Sequence, residues 1–133
     1  MTSDITETAA SDCVVMIVED DLDSREILSE LVESEGFGTV VASNGREALA
    51  ELEAAKQAKL PCVILLDMMM PVMDGRQFRA VQQQDPLLEE IPVVVLSAHL
   101  EALAITEAMR AKAVLAKPVD FAELIAVVRE ICA

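Results

Sequence analysis

Pro61-Cys-Val-Ile-Leu-Leu-Asp-Met-Met-Met-Pro-Val-Met-Asp-Gly75 is the stretch that decides how this chain folds. Cys62 to Leu66 are apolar without a break and deliver one carboxylate, Asp67, at their end. An unbroken apolar run of this length is the pattern of a strand buried on both faces, as in parallel sheets. The C-terminal tip of such a strand is where open α/β sheets place their chemistry. Pro71 and Asp74-Gly75 then supply a turn before the next helix.

The same grammar recurs on both sides. Cys13-Val-Val-Met-Ile-Val18 is a second continuous apolar run, followed directly by Glu19-Asp20-Asp21. Asp23 with Glu26 three residues on reads as a capping box, and Gly36 as the stop of that helix. Ile27, Leu28, Leu31 and Val32 form its expected apolar face. Thr39 to Ala42 reads as a short strand. Asn44 and Glu47 open a helix that turns Ala48, Leu49 and Leu52 inward. A short helix is expected from Gly75 to about Gln83, with Phe78 and Val81 as its apolar positions. Asp85-Pro86 then breaks the chain into a loop. Val93 to Ser97 reads as a strand, Leu100 to Met109 as a helix and Ala113 to Ala116 as a fifth strand. Asp120 and Glu123 cap a last helix, faced by Leu124, Ile125, Val128 and Ile131. Five strands alternating with five helices predict successive βα units, a parallel sheet and helices on both faces.

Length and composition agree with this pattern. The 133 residues suffice for one domain with a full core. Residues 1–12 are polar and acidic without an apolar period and are expected to form a disordered tail before a domain of residues 13–133. No apolar run approaches the ~18 residues of a membrane span. The N-terminus lacks the basic and apolar regions of a signal peptide, so a cytoplasmic location is expected, with no membrane partner. Ten basic against 24 acidic residues give a formal charge of −14, which disfavours a nucleic-acid partner. Cys13, Cys62 and Cys132 are far apart in sequence and show no zinc spacing. They read as reduced thiols acting as small apolar residues.

Leu65-Leu-Asp-Met-Met-Met-Pro-Val-Met-Asp-Gly75 resembles the phosphoacceptor segment of the receiver domain of two-component response regulators. The resemblance covers Cys13 to Cys132 and rests on an ordered set: Glu19-Asp20, Asp67, Ser97 and Lys117-Pro118. It implies the flavodoxin-like strand order 2-1-3-4-5, which sets the first and third strands side by side. It also implies that Asp67 is phosphorylated by the phosphohistidine of a sensor histidine kinase or histidine phosphotransfer protein. Mg²⁺ would be held by Asp20, Asp67 and the main-chain carbonyl of Met69, with Glu19 acting through bound water. Three neighbouring carboxylates call for such a hard cation, and attack by one anion on another needs charge neutralisation more than a base. Lys117 would contact the phosphoryl group, aimed by a cis peptide at Pro118, and the Ser97 hydroxyl would follow that group on activation. Taken alone, Lys-Pro is a common turn dipeptide and Glu-Asp-Asp a solvated loop. In the family, the residues two beyond the acceptor and two beyond the Ser/Thr modulate hydrolysis of the acyl phosphate. Here they are Met69 and His99. The methionines Met68, Met69, Met70 and Met73 belong to the loop and are not read as a soft-metal site.

Three departures from the family fall in one region. Val114 stands where receivers carry a switching Tyr or Phe. Arg110-Ala111 replaces the usual Gly-Ala, and if that turn needs positive φ the arginine costs ~1 kcal/mol relative to glycine. Ser97 and Lys117 are closer in sequence than usual. The chain ends just after its expected fifth helix, so the expectation is a stand-alone receiver, a monomer or weak dimer, signalling to an unidentified downstream protein. It would be a phosphoacceptor and not an enzyme. The alternative is an adaptor that binds partners whether or not Asp67 is phosphorylated. A phosphatase using an Asp nucleophile is disfavoured, because no second acid lies two residues after Asp67.

Overall fold

Strand β1 (Val14–Val18) and strand β3 (Val63–Asp67) are the two apolar runs, and their residues are almost wholly withdrawn from solvent. The computed structural model describes residues 13–98 and 102–132. Strands β2 (Gly38–Ala42), β4 (Val93–Ser97) and β5 (Ala113–Ala116) complete a five-stranded parallel sheet of order β2-β1-β3-β4-β5. Helices α1 (Leu22–Ser34), α2 (Gly45–Ala55), α3 (Gly75–Gln83) and α4 (Ala102–Met109) form the crossovers, and α5 (Phe121–Cys132) follows β5.

Successive side chains of a strand point to opposite faces, so each central strand feeds two cores. Val15, Ile17, Val63, Leu65, Val94 and Leu96 meet Leu28 and Val32 of α1 and Leu124 and Val128 of α5. Met16, Val18, Ile64, Leu66, Val93 and Val95 meet Ala48 and Leu52 of α2, Phe78 of α3, and Ile105 and Met109 of α4. Helices on both faces of a parallel sheet are what the sequence pattern predicts, and the flavodoxin-like strand order is the one the resemblance implies. Each wholly buried side chain such as Leu65 or Phe78 contributes roughly 1.5–3 kcal/mol of transfer free energy.

Several local expectations need correction. Helix α1 is capped by Asp21, not Asp23: the Asp21 carboxylate accepts from the Ser24 N–H at 2.9 Å, and Asp23 lies in the first turn. Ile27 is half exposed and leaves the buried face to Leu28 and Val32. In α3 the inward positions are Gly75, Phe78, Arg79 and Gln82, while Val81 faces solvent. These four stand at i, i+3, i+4 and i+7, one helical face, so the face is present but half of it is polar. Helix α4 begins at Ala102, and Leu100 lies outside the described residues. The Asn44 and Asp120 caps stand where expected, and Asp74, read from sequence as part of a turn, caps α3. Gln77 completes a capping box with Asp74, and Glu47 reaches back to the Ser43 N–H at 2.9 Å.

Candidate functional site

The sheet register carries the chemistry-bearing residues to one edge. Val18 pairs with Leu66 and Asp67 with Leu96, so Glu19, Asp67 and Ser97 emerge on neighbouring strands. The ladder continues past the strand ends, with Glu19 N–H donating to Ala42 O at 3.0 Å and Lys117 N–H to Ser97 O at 2.8 Å. Lys117 therefore leaves β5 directly beside Ser97. The Lys117–Pro118 peptide is cis. His99 lies outside the described residues.

Asp67, Glu19 and Ser97 are buried, with exposures of 3%, 2% and 1%, whereas Asp20 is exposed. Carboxylate oxygens of Glu19, Asp20 and Asp67 lie within 4.8 Å of one another. The Lys117 ammonium bridges two of them, at 3.0 Å from Asp67 Oδ1 and 3.2 Å from Glu19 Oε1. Burial pushes the Glu19 carboxyl above the usual range, the Asp67 charge adds to this, and the Asp21 N–H and Lys117 oppose it. Burial works against the Lys117 ammonium, but Asp67 and Glu19 outweigh it and hold its pKa above the ordinary lysine value. The acid pair is fixed from α1: Arg25 donates from Nη1 to the Glu19 carbonyl at 2.9 Å, and the Asp21 N–H donates to Glu19 Oε2 at 3.1 Å.

The loop after Asp67 is pinned at both ends. Gly75 N–H donates to Met68 O at 3.1 Å and Gly45 N–H to Met73 O at 3.0 Å. A Cβ on Gly75 would lie 2.9 Å from the Asp67 carbonyl oxygen, a backbone approach that needs glycine, and one on Gly45 would lie 2.8 Å from Met73 Cγ, a side chain that would have to move. Met68 and Met70 are buried in the α2/α3 core, whereas Met69 is 67% exposed with its N–H 3.4 Å from Asp67 Oδ1. Val72 is held at φ 68°, a left-handed value costly for a β-branched residue. A buried carboxylate at a strand tip, two further acids and a lysine form a site equipped to bind a hard cation and an incoming phosphoryl group.

Fold and site together define an α/β domain with an acidic, lysine-completed pocket at the C-terminal edge of its sheet. The family model for the response regulator receiver domain matches residues 15–129, and this chain belongs to that family. It is 35% identical over 120 residues to an uncharacterised 14.6 kDa protein of Leptolyngbya boryana, covering 89% of this chain and 88% of that one. It is 34% identical over 118 residues to the DNA-binding transcriptional regulator NtrC of Salmonella typhimurium. That match covers 86% of this chain but 24% of NtrC, so the chain spans about a quarter of that relative. Among solved structures, the chemotaxis response regulator CheY4 of Vibrio cholerae superposes with a TM-score of 0.78 at 26% identity, covering 90% of this chain and 98% of that one. The receiver domain of Francisella response regulator 1452 gives 0.77 at 27%, with 90% and 96% covered. The family is one of phosphoacceptor signalling domains. Among the described residues no helix is long and apolar enough to cross a membrane.

Two arrangements escaped the sequence reading. Arg79 is buried and donates from Nε to Met109 O at 2.8 Å, from Nη2 to Arg110 O at 3.2 Å and from Nη1 to Gln82 Oε1 at 2.8 Å. Apolar periodicity cannot find a polar pair that is buried because carbonyls await it. The other is the meeting of Cys13, Cys62 and Cys132, whose sulfurs lie within 4.8 Å of one another. Spacing along the chain gives no sign of it, because the topology creates it.

Proposed function

We propose that this chain is a stand-alone receiver of residues 13–133, with residues 1–12 as a tail, that accepts a phosphoryl group on Asp67 and changes its affinity for a partner protein. The observation that carries this reading is the buried Asp67 carboxylate, paired with Lys117 and within 4.8 Å of Glu19 and Asp20. The donor is the phosphohistidine of a histidine kinase or phosphotransfer protein. An Asp67 oxygen attacks phosphorus, the P–N bond breaks, and its electron pair returns to the imidazole of the donor, which takes up a proton. Lys117 meets the charge on the phosphoryl oxygens, and the Ser97 hydroxyl lies on the adjoining strand end to receive one of them. Glu19 and Asp67 are held apart from bulk water by the strand ends, which strengthens each of these interactions.

The donor set fits the Mg²⁺ that the family implies: hard carboxylate oxygens, gathered in one place, with Asp20 open to solvent so that waters can complete the shell. Asp20, Asp67 and the Met69 carbonyl are the assigned ligands, with Glu19 acting through water. When bound, the ion neutralises charge on the acceptor and the phosphoryl group.

One observation favours the adaptor reading as a second possibility. Val114, in place of a ring, is a half-buried aliphatic residue packed against the α2/α3/α4 core, so no aromatic rotation can transmit the state of Asp67. Intact-mass analysis after treatment with acetyl phosphate and Mg²⁺ separates the two. The receiver reading expects one added phosphoryl group, absent from Asp67→Asn and from a chelator control. An unmodified mass with both acetyl phosphate and a phosphohistidine donor leaves the adaptor reading.

A further inference from the structure

The three cysteines of this chain converge at the edge of the sheet opposite to Asp67. Cys13 immediately precedes β1, Cys62 immediately precedes β3, and Cys132 is the last residue of α5. The main chain holds the first two together, since Cys62 N–H donates to Val14 O at 2.8 Å. Cys13 Sγ in turn lies 3.8 Å from the Cys132 carbonyl oxygen across 119 residues of sequence. All three sulfurs fall within 4.8 Å of one another, all three side chains are half-buried, and none is in a disulfide. Cys62 and Asp67 stand at opposite ends of β3, about 16 Å apart at strand rise, so this cluster is separate from the acidic pocket.

We propose that Cys13, Cys62 and Cys132 form a three-thiolate site for one soft, thiophilic metal ion, with monovalent copper the best chemical match. Thiolates select soft cations, and three sulfurs around an ion at about 2.3 Å stand about 4.0 Å from one another, inside the spacing found here. The cluster contains three such donors and no fourth histidine, cysteine or carboxylate among the described residues. That suits a trigonal ion better than Zn²⁺, which takes four ligands in structural sites. Each ligating thiol gives up its proton to solvent as its metal–sulfur bond forms, and no electron changes hands. Burial and the neighbouring sulfurs push the Cys132 thiol up to about 12, so capture weakens as pH falls. Burial and the neighbouring Cys62 push the Cys13 thiol up as well, with Cys132 and the Lys59 ammonium opposing them only in part. A bound ion would tie the end of α5 to the starts of β1 and β3.

The test is anaerobic titration of the reduced full-length protein with Cu(I) against a chromophoric Cu(I) chelator, with Zn²⁺ against its own indicator in parallel. The expected result is one Cu(I) per chain, thiolate-to-copper absorption in the near ultraviolet, and X-ray absorption showing three sulfurs. A rise in Tm on the order of 10 °C is expected at a hundredfold excess over Kd. Cys13→Ser, Cys62→Ser and Cys132→Ser should each weaken capture at least tenfold, with folding of the metal-free variants checked by circular dichroism. Asp67→Asn should bind as the parent does, which separates this site from the acidic pocket. No Cu(I) capture, capture that survives all three substitutions, or capture of Zn²⁺ alone would each overturn the assignment.

Discussion

Arg110 sits at φ 52°, in the left-handed region that favours glycine, at the turn between α4 and β5. The turn thus keeps the positive-φ geometry that glycine usually provides there, with an arginine in its place. Arg110→Gly is therefore expected to raise stability by about 1 kcal/mol, measured by urea unfolding. A loss of stability would show that the arginine side chain makes compensating contacts. Single residues of this kind are legible because their constraint is local: Asn44 and Asp120 cap helices from their own sequence context. Asp21 was misread for the same reason. Asp21 and Asp23 both precede the helical pattern, and only the direction in which the chain leaves β1 decides between them.

At the scale of elements, the Arg79–Gln82 pair joins α3 to the end of α4 and to the turn before β4. Gln82 donates to Leu88 O at 2.8 Å and Ile91 O at 3.1 Å while accepting from Arg79, so the network closes on five groups. Arg79 also holds the carbonyl of Arg110, the residue strained at positive φ. Arg79→Met leaves buried acceptors without a donor and is expected to cost about 3 kcal/mol. In a double-mutant cycle with Arg110→Gly the effects should not add, because both act on one turn. A second tie, between Lys56 after α2 and Asp85 after α3, spans 2.5 Å. The hydrogen bond from Lys56 holds the Asp85 carboxyl below its ordinary value. A depressed carboxylate contributes stability above its unfolded pKa, near 3.8, and loses it as pH falls through the folded value. Lys56→Met should accordingly be less stable than the parent at pH 7, with the gap closing under acid and narrowing in high salt. A gap independent of pH would assign the effect to packing. The five strands and five helices were readable from apolar period, but these ties were not, since they depend on which carbonyls the packed helices leave open.

For the whole molecule, the sheet topology does what no single segment does: it gathers Glu19, Asp20, Asp67 and Lys117 from three separate strand ends. Strand order could not be read from periodicity. It came from likeness to receivers, and the observed order β2-β1-β3-β4-β5 agrees. The same topology assembled the thiol cluster at the other edge, where no likeness gave warning. The central claim is that the Asp67 carboxylate is the nucleophile. Its most direct measurement is peptide mapping after phosphorylation and borohydride reduction, which converts an aspartyl phosphate to homoserine. Homoserine at position 67, and at no other acid of the pocket, is the predicted result. Homoserine at Asp20 or Asp74, or a phosphorylated chain without it, would contradict the account.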